Sequence, residues 1–297
     1  MARALPNSAH RGQRRAFMFV VSLVLLAVFW ELYKTVGPPA GGKVFGASLL
    51  PKAENRSMPH VWDMLGRLGR SEQRGSDRSI LIVVLSGMWF TLRIALAGLV
   101  LGLAVGMGLA VLMARFKLLE RALVPWLIIS QTVPLIALAP LVVSWGGRLH
   151  VGSFTWQKWM SAAVIGAFLA FFPISIGALK GLSSPPAEAV ELMDSYAASW
   201  RSSLTKVRLP AALPYLVPAL KLGANAAVVG AIVAELSTGL KGGIGRLIIE
   251  YMRESTGDPA KVFTAVFGAA ALGLTMAGLI ALIDMAVSRN RPKELAA

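Results

Sequence analysis

The sequence has no cysteine. Disulfide staples, thiolate catalysis and cysteine-ligated metal are excluded together. Histidine is nearly as scarce: His10, His60 and His150 lie far apart, with no H-E-x-x-H or comparable ligand spacing. No G-x-S-x-G nucleophile elbow occurs, and no G-x-x-x-x-G-K-[ST] phosphate loop. The chain therefore carries no ATPase site of its own, no cofactor is expected, and it reads as a non-enzyme. Charge is sparse as well, at 15% of residues against 56% hydrophobic, with a mean hydropathy of +0.64. That balance overrules the two soluble domains that 297 residues would ordinarily suggest. It describes an integral membrane protein with several spans of about 20 residues each.

The charges that exist are mostly positive, 30 Lys and Arg against 15 Asp and Glu. They are scattered between apolar runs, and no nucleic-acid-binding module is visible. Basic loops meeting anionic lipid headgroups explain the excess, and nucleic-acid binding is not expected. Asp and Glu cluster in the polar intervals rather than as paired acids inside apolar runs. This argues against a proton-coupled carrier.

The basic stretch 1–15 is expected to be a disordered tail, followed by a first span over 16–34. A basic start and a short apolar run also describe a signal peptide. No A-x-A-like site follows, and Phe29-Trp30-Glu31-Leu32-Tyr33 reads instead as the aromatic boundary of an uncleaved span. Residues 35–79 form an extracytoplasmic connector rich in Gly, Pro and charge, with a short amphipathic helix predicted at 61–68.

A core of five further spans is expected over 80–288. The run 80–113 would reach about 50 Å as one helix, against a hydrocarbon core of about 30 Å. Its start therefore projects from the bilayer. Gly98, Gly102 and Gly106 recur every four residues within it, with Ala110 continuing the row. Such a small-residue stripe lets helix backbones approach closely. The third span, 122–145, carries Pro125, Pro134 and Pro140 beside Ser130, Gln131 and Thr132. Broken helix at membrane depth is tolerated only against protein or a water-filled cavity. Two readings stand: a span lining a translocation path, with Gln131 and Thr132 facing it, or a kinked packing helix. A turn holding Trp156 and Trp159 leads to the fourth span, 160–179. The fifth, 213–236, is opened by Pro210 and Pro214 and carries Lys221, Asn225 and Glu235. Intramembrane ionisable groups are functional candidates, although Lys221 is close enough to one end to snorkel. The glycines of GLKGGIGR (239–246) are assigned to turns, and Gly268, Gly273 and Gly278 to packing in the sixth span, 262–287.

Between the fourth and fifth spans lies the longest polar interval of the second half. Glu188, Glu191 and Asp194 form one acidic ridge at i, i+3, i+6, beside an apolar face of Leu192, Met193 and Tyr196. Arg201, Lys206 and Arg208 follow, and Leu209-Pro210 is expected to mark a stop before the next helix. A pair of short helices there suits docking on a soluble partner; an ordinary solvated loop is the bland alternative.

This interval resembles the cytoplasmic coupling loop of bacterial ABC-importer permeases, whose signature runs E-A-A, a glycine, then a long gap to L-P. Anchored on Leu209 and Pro210, the signature Glu matches Glu191, with Leu192 and Met193 at the usual alanines. Ala198, Ser199 and the run KVRLPAALP (206–214) are similar to the nitrate/sulfonate/taurine-type branch. The usual glycine is replaced by Ala197, which leaves the turn either reshaped or continuing as helix. The resemblance covers 91–286, roughly two-thirds of the chain.

The resemblance implies an all-α, polytopic type I permease with about six spans and a coupling loop at 181–212. Two chains would pair around a pathway that includes Gln131, Thr132, Pro134 and Asn225. A cytoplasmic ATP-binding-cassette ATPase would dock on the loop, and an extracytoplasmic solute-binding protein would deliver a small anionic or vitamin-precursor-like solute. Lys and Arg divide evenly between the two sides, so charge counting does not orient the chain. The basic N-terminus and the compact 115–121 turn favour cytoplasmic termini, including the tail at 289–297, in a bacterial inner membrane. An ATP-independent carrier or channel is the alternative, and a pure membrane scaffold leaves the proline-broken span without a purpose.

Overall fold

The computed structural model describes residues 8–44, 47–73 and 77–288. Helix dominates, as it must where no water is available to satisfy backbone N–H and C=O groups. The order is α1 (Ser8–Val36), β1 (Gly42–Val44), β2 (Ala47–Leu50), α2 (Val61–Leu68), α3 (Ile80–Arg115), α4 (Lys117–Ser130), α5 (Leu135–Gly146), β3 (His150–Val151), β4 (Phe154–Thr155), α6 (Lys158–Leu182), α7 (Ala187–Ser195), α8 (Trp200–Ser203), α9 (Leu209–Thr238), α10 (Ile244–Glu254) and α11 (Pro259–Ser288). The strands form two minimal antiparallel hairpins, β1–β2 and β3–β4. Among the described residues, five helices are long and apolar enough to cross a membrane, and the bent pair α4–α5 supplies a sixth if it counts as one span.

The chain divides into two units, residues 1–81 with 251–264, and residues 82–250 with 265–297. In the first unit, α1 begins at Ser8, so part of the basic segment expected to be disordered is helical. Its apolar side chains face outward: Leu26 and Phe29 are 69% and 70% exposed. Its aromatic end is a set of hooks. Trp30 Nε1 donates to the Pro59 carbonyl at 3.0 Å, and Tyr33 Oη to that of Pro51 at 2.8 Å. Glu31 accepts the Val61 N–H at 2.6 Å and pairs with His60 Nδ1 at 2.8 Å, fixing the start of α2. α2 buries Met64 and turns Trp62 and Leu65 outward. Arg67 meets Asp258, and Lys261 meets Glu254, each at 2.5 Å.

The second unit is built around α6, which lies between α3 and α9. Added Cβ atoms on Gly98 and Gly102 would come within 2.8 Å of the Ala163 carbonyl and the Ala170 Cβ, and one on Gly106 within 2.8 Å of the Phe171 carbonyl. On the other side of α6, a Cβ on Gly230 would sit 2.7 Å from the Gly166 Cα. Gly98, Gly166 and Gly230 thus meet where three helices pass. Here van der Waals contact between backbones supplies what hydrophobic burial cannot in lipid. In α11, Gly268 abuts Val84 and Ile244, whereas Gly273 and Gly278 have nothing within 4 Å. Among the described residues, those two meet no packing partner.

The third span is not a single kinked helix. α4 and α5 meet at 101° across a four-residue break. Pro134 disfavours α geometry at the residue before it and itself takes an extended ψ of 107°. Carbonyls released at the end of α4 are taken by side chains, Ser130 Oγ donating to Leu127 O at 2.7 Å and Thr132 Oγ1 to Ile129 O at 2.8 Å. Nor does Leu209-Pro210 stop a helix. The helical run is unbroken from Trp200 to Thr238, with a π turn at Leu204–Arg208. Pro210 lacks an N–H, and widening the preceding turn accommodates the missing donor without ending the helix.

Candidate functional site

α7, the turn after it and α8 stand out from the ends of α6 and α9. α7 buries none of its residues; Glu188, Glu191 and Asp194 are exposed, and Leu192 and Tyr196 are exposed at 57% and 78%. An acidic ridge and the uncovered Leu192 therefore share one short helix, with Tyr196 uncovered at its C-cap.

The turn is closed by two backbone bonds, Ala198 N–H to Met193 O and Ala197 N–H to Asp194 O, both 2.9 Å. This is the six-to-one, five-to-two pattern of a Schellman cap, which needs a left-handed residue at the position Ala197 occupies. Ala197 supplies it with φ 49°, the sole positive φ at a non-glycine among the described residues. Alanine thus holds the left-handed conformation that glycine favours, and the chain turns there rather than continuing as helix. Ser199 then caps α8, its Oγ accepting the Ser202 N–H at 3.3 Å.

The base of this loop is tied to the helical bundle. Arg208 Nη1 donates to the Leu182 carbonyl at 3.0 Å, and the Arg115 guanidinium lies 5.3 Å from the Trp200 ring centre. Leu204 and Leu209 pack on a buried cluster formed by Ala110, Met113, Leu127, Leu182 and Ala212. The base of the loop is thus packed against α3, α4, α6 and α9. Sequence reading missed these ties; an arginine among apolar residues and a lone tryptophan were the available signals.

Elsewhere, Gln131 is half-buried, and Thr132, Pro134 and Asn225 are exposed. Asn225 shares an outward stripe of α9 with Leu222 and Val229, which are 63% and 52% exposed. Among the described residues, no hydrogen bond joins Asn225 to Gln131 or Thr132. Lys221 pairs with Asp284 at 3.2 Å rather than standing alone.

Glu235 is fully buried. Its carboxylate accepts the Thr91 hydroxyl and the Gly245 N–H, both at 2.8 Å, while Thr91 Oγ1 accepts the Ile244 N–H at 2.9 Å. A Cβ on Gly243 would overlap that carboxyl group. The glycines after α9 thus make turns, with Gly239 and Gly242 at positive φ, and also clear space for a buried acid.

The chain matches the family described as "Binding-protein-dependent transport system inner membrane component" over residues 98–293. The formylaminopyrimidine transport permease protein ThiX of Halalkalibacterium halodurans is 34% identical, the alignment covering 62% of this chain and 69% of that protein. The putative aliphatic sulfonates transport permease protein SsuC of Bacillus subtilis is 28% identical over 75% and 81% of the two chains. A solved structure, that of an amino acid ABC transporter with histidines, superposes with a TM-score of 0.54 at 14% identity, covering 69% of this chain and 94% of that one. The family match covers well over half the sequence, so this chain belongs to the binding-protein-dependent transport system inner membrane components, the permease subunits of ABC importers.

Proposed function

We propose that this chain moves a small anionic or vitamin-precursor-like solute, of the nitrate, sulfonate or taurine class, through a pathway formed by two copies. The exposed α7–α8 loop, built on a Schellman turn and tied at its base to four helix ends, carries this reading. An ATPase docks on Glu188, Glu191, Leu192, Asp194 and the turn Ala197–Ala198–Ser199. The continuous helix through Leu209 and Pro210 transmits its motion to the spans. ATP-driven approach of two such loops rocks the spans between inward- and outward-open states, a two-state element biased by nucleotide. An extracytoplasmic solute-binding protein delivers the solute, and both termini lie in the cytoplasm. ATP hydrolysis belongs to the partner chain.

The α4–α5 break supports a path-lining role for Gln131, Thr132 and Pro134, because irregular backbone at membrane depth needs protein or water beside it. The exposed stripe of Asn225 fits the same path or the second copy. Uptake into proteoliposomes holding permease, ATPase and binding protein tests the reading. Accumulation should require ATP and fall in Gln131→Ala and Thr132→Ala. Accumulation without ATP would instead favour a secondary carrier or channel.

A further inference from the structure

Arg93 in α3 and Lys221 in α9 are cations inside the long apolar helices of the second unit. Their surroundings differ. Lys221 has a carboxylate partner in Asp284. Arg93 makes no hydrogen bond or ion pair among the described residues; its guanidinium carbon lies 5.8 Å from the ring centres of both Trp89 and Phe90. The buried carboxylate reached from the same part of α3, that of Glu235, goes to Thr91 and Gly245 instead.

Arg93 lines a cavity of about 350 Å³ together with Phe90, Ile94, Ala97 and Trp159. That volume falls at the small end of the range for ligand pockets, about 300–1,000 Å³. Arg93 is exposed, so its charge is open to whatever enters the cavity mouth. Aromatic rings answer only part of it. They engage the guanidinium through electrostatic attraction and leave its five N–H donors unclaimed. Those donors form a planar fork matched to a sulfonate, carboxylate or phosphate, while the Trp159 indole N–H is already committed to Gln157.

We infer that Arg93, walled by Phe90 and Trp159, is an oxyanion-binding site of this permease. The oxyanion is either the anionic end of the transported solute or the phosphate of a bilayer lipid. Only the first source rests on the importer reading above. In that case Arg93 selects anions within the membrane subunit itself, in addition to any selection by the solute-binding protein.

The test uses the full-length chain in nanodiscs, wild type against Arg93→Gln and Arg93→Lys. Radiolabelled methanesulfonate binding is measured at equilibrium in phosphatidylcholine discs, and retained phosphatidylglycerol is counted by native mass spectrometry after mixed-lipid discs. Arg93→Gln is expected to weaken methanesulfonate roughly tenfold or more, as loss of a charge-assisted pair should. Arg93→Lys keeps the charge and loses the fork, so its affinity should be intermediate; it also stands in if the glutamine variant does not fold. If Arg93→Gln loses phosphatidylglycerol while methanesulfonate never binds, the oxyanion site holds and its occupant is lipid. If neither ligand distinguishes the variants from wild type, the proposal is overturned. No ATPase is present in these measurements, so a failure of ATP-driven uptake would count against the importer reading and not against this site.

Discussion

Ala197 holds a backbone conformation that costs an L-residue roughly 1–2 kcal/mol and costs glycine almost nothing. Ala197→Gly should therefore be tolerated and should stabilise the loop by up to about 1 kcal/mol, part of the gain being offset by glycine's freedom in the unfolded chain. Ala197→Val adds β-branching at the same φ and should weaken ATPase association while leaving the bundle folded. Thermal unfolding in detergent, read alongside pull-down of the ATPase, separates the two effects. The sequence marked position 197 as the departure from the family pattern. It could not show that alanine holds a left-handed turn, because the hydrogen bonds enforcing it are accepted by Met193 and Asp194 on the preceding helix. Glu235 was visible as an acid in an apolar run, but its partners lie 144 and 10 residues away, beyond any local pattern. Gly243→Ala would drive a methyl group into its carboxyl, and Glu235→Ala would strand the Gly245 N–H, a loss of about 1–3 kcal/mol. Both variants should unfold at lower temperature than wild type in a fluorescence-monitored melt.

At the scale of elements, glycine position decides which helices can touch. Gly98→Leu, Gly166→Leu or Gly230→Leu would force α3, α6 and α9 apart where their backbones meet, and each should abolish the monodisperse peak on size exclusion. Gly273→Leu and Gly278→Leu project into open space and should leave folding intact. Loss of a chain-to-chain cross-link in either would place the second copy against α11. The regular spacing of Gly98, Gly102 and Gly106 was legible because a four-residue period maps onto one helix face. The glycines of α6 and α9 are less regular, and only the crossing geometry gives them a common purpose. Proline had the opposite problem. Its presence in the third span was plain, but whether a proline kinks a helix, breaks it or is absorbed by a π turn depends on what surrounds it. Pro134, next to Thr132 and Ser130 as carbonyl partners, breaks one; Pro210, inside a packed run, is absorbed.

For the whole molecule, the number of crossings rests on α4–α5. If the pair traverses the membrane, six crossings place both termini on one side; if it returns to the face it entered, five place them on opposite sides. Reporter fusions at residue 297 and in the 147–157 turn should show a cytoplasmic C-terminus and an extracytoplasmic turn. Lys and Arg could not settle this, since they divide evenly between the sides. The class of molecule was readable from hydropathy and the loop signature. The ties that join the loop to the bundle were not, because Arg115, Leu182, Trp200 and Arg208 meet only after three helices have packed.

In the proposed function the α7–α8 loop joins this chain to its ATPase, and co-purification with the ATPase encoded nearby tests it most directly. Wild-type permease in detergent should carry the ATPase through affinity and size-exclusion steps, while Glu191→Arg, altering one exposed side chain on α7, should elute alone and still folded. If wild type retains no ATPase, or if the charge reversal retains as much as wild type, α7 is not the docking element and the proposed coupling is wrong.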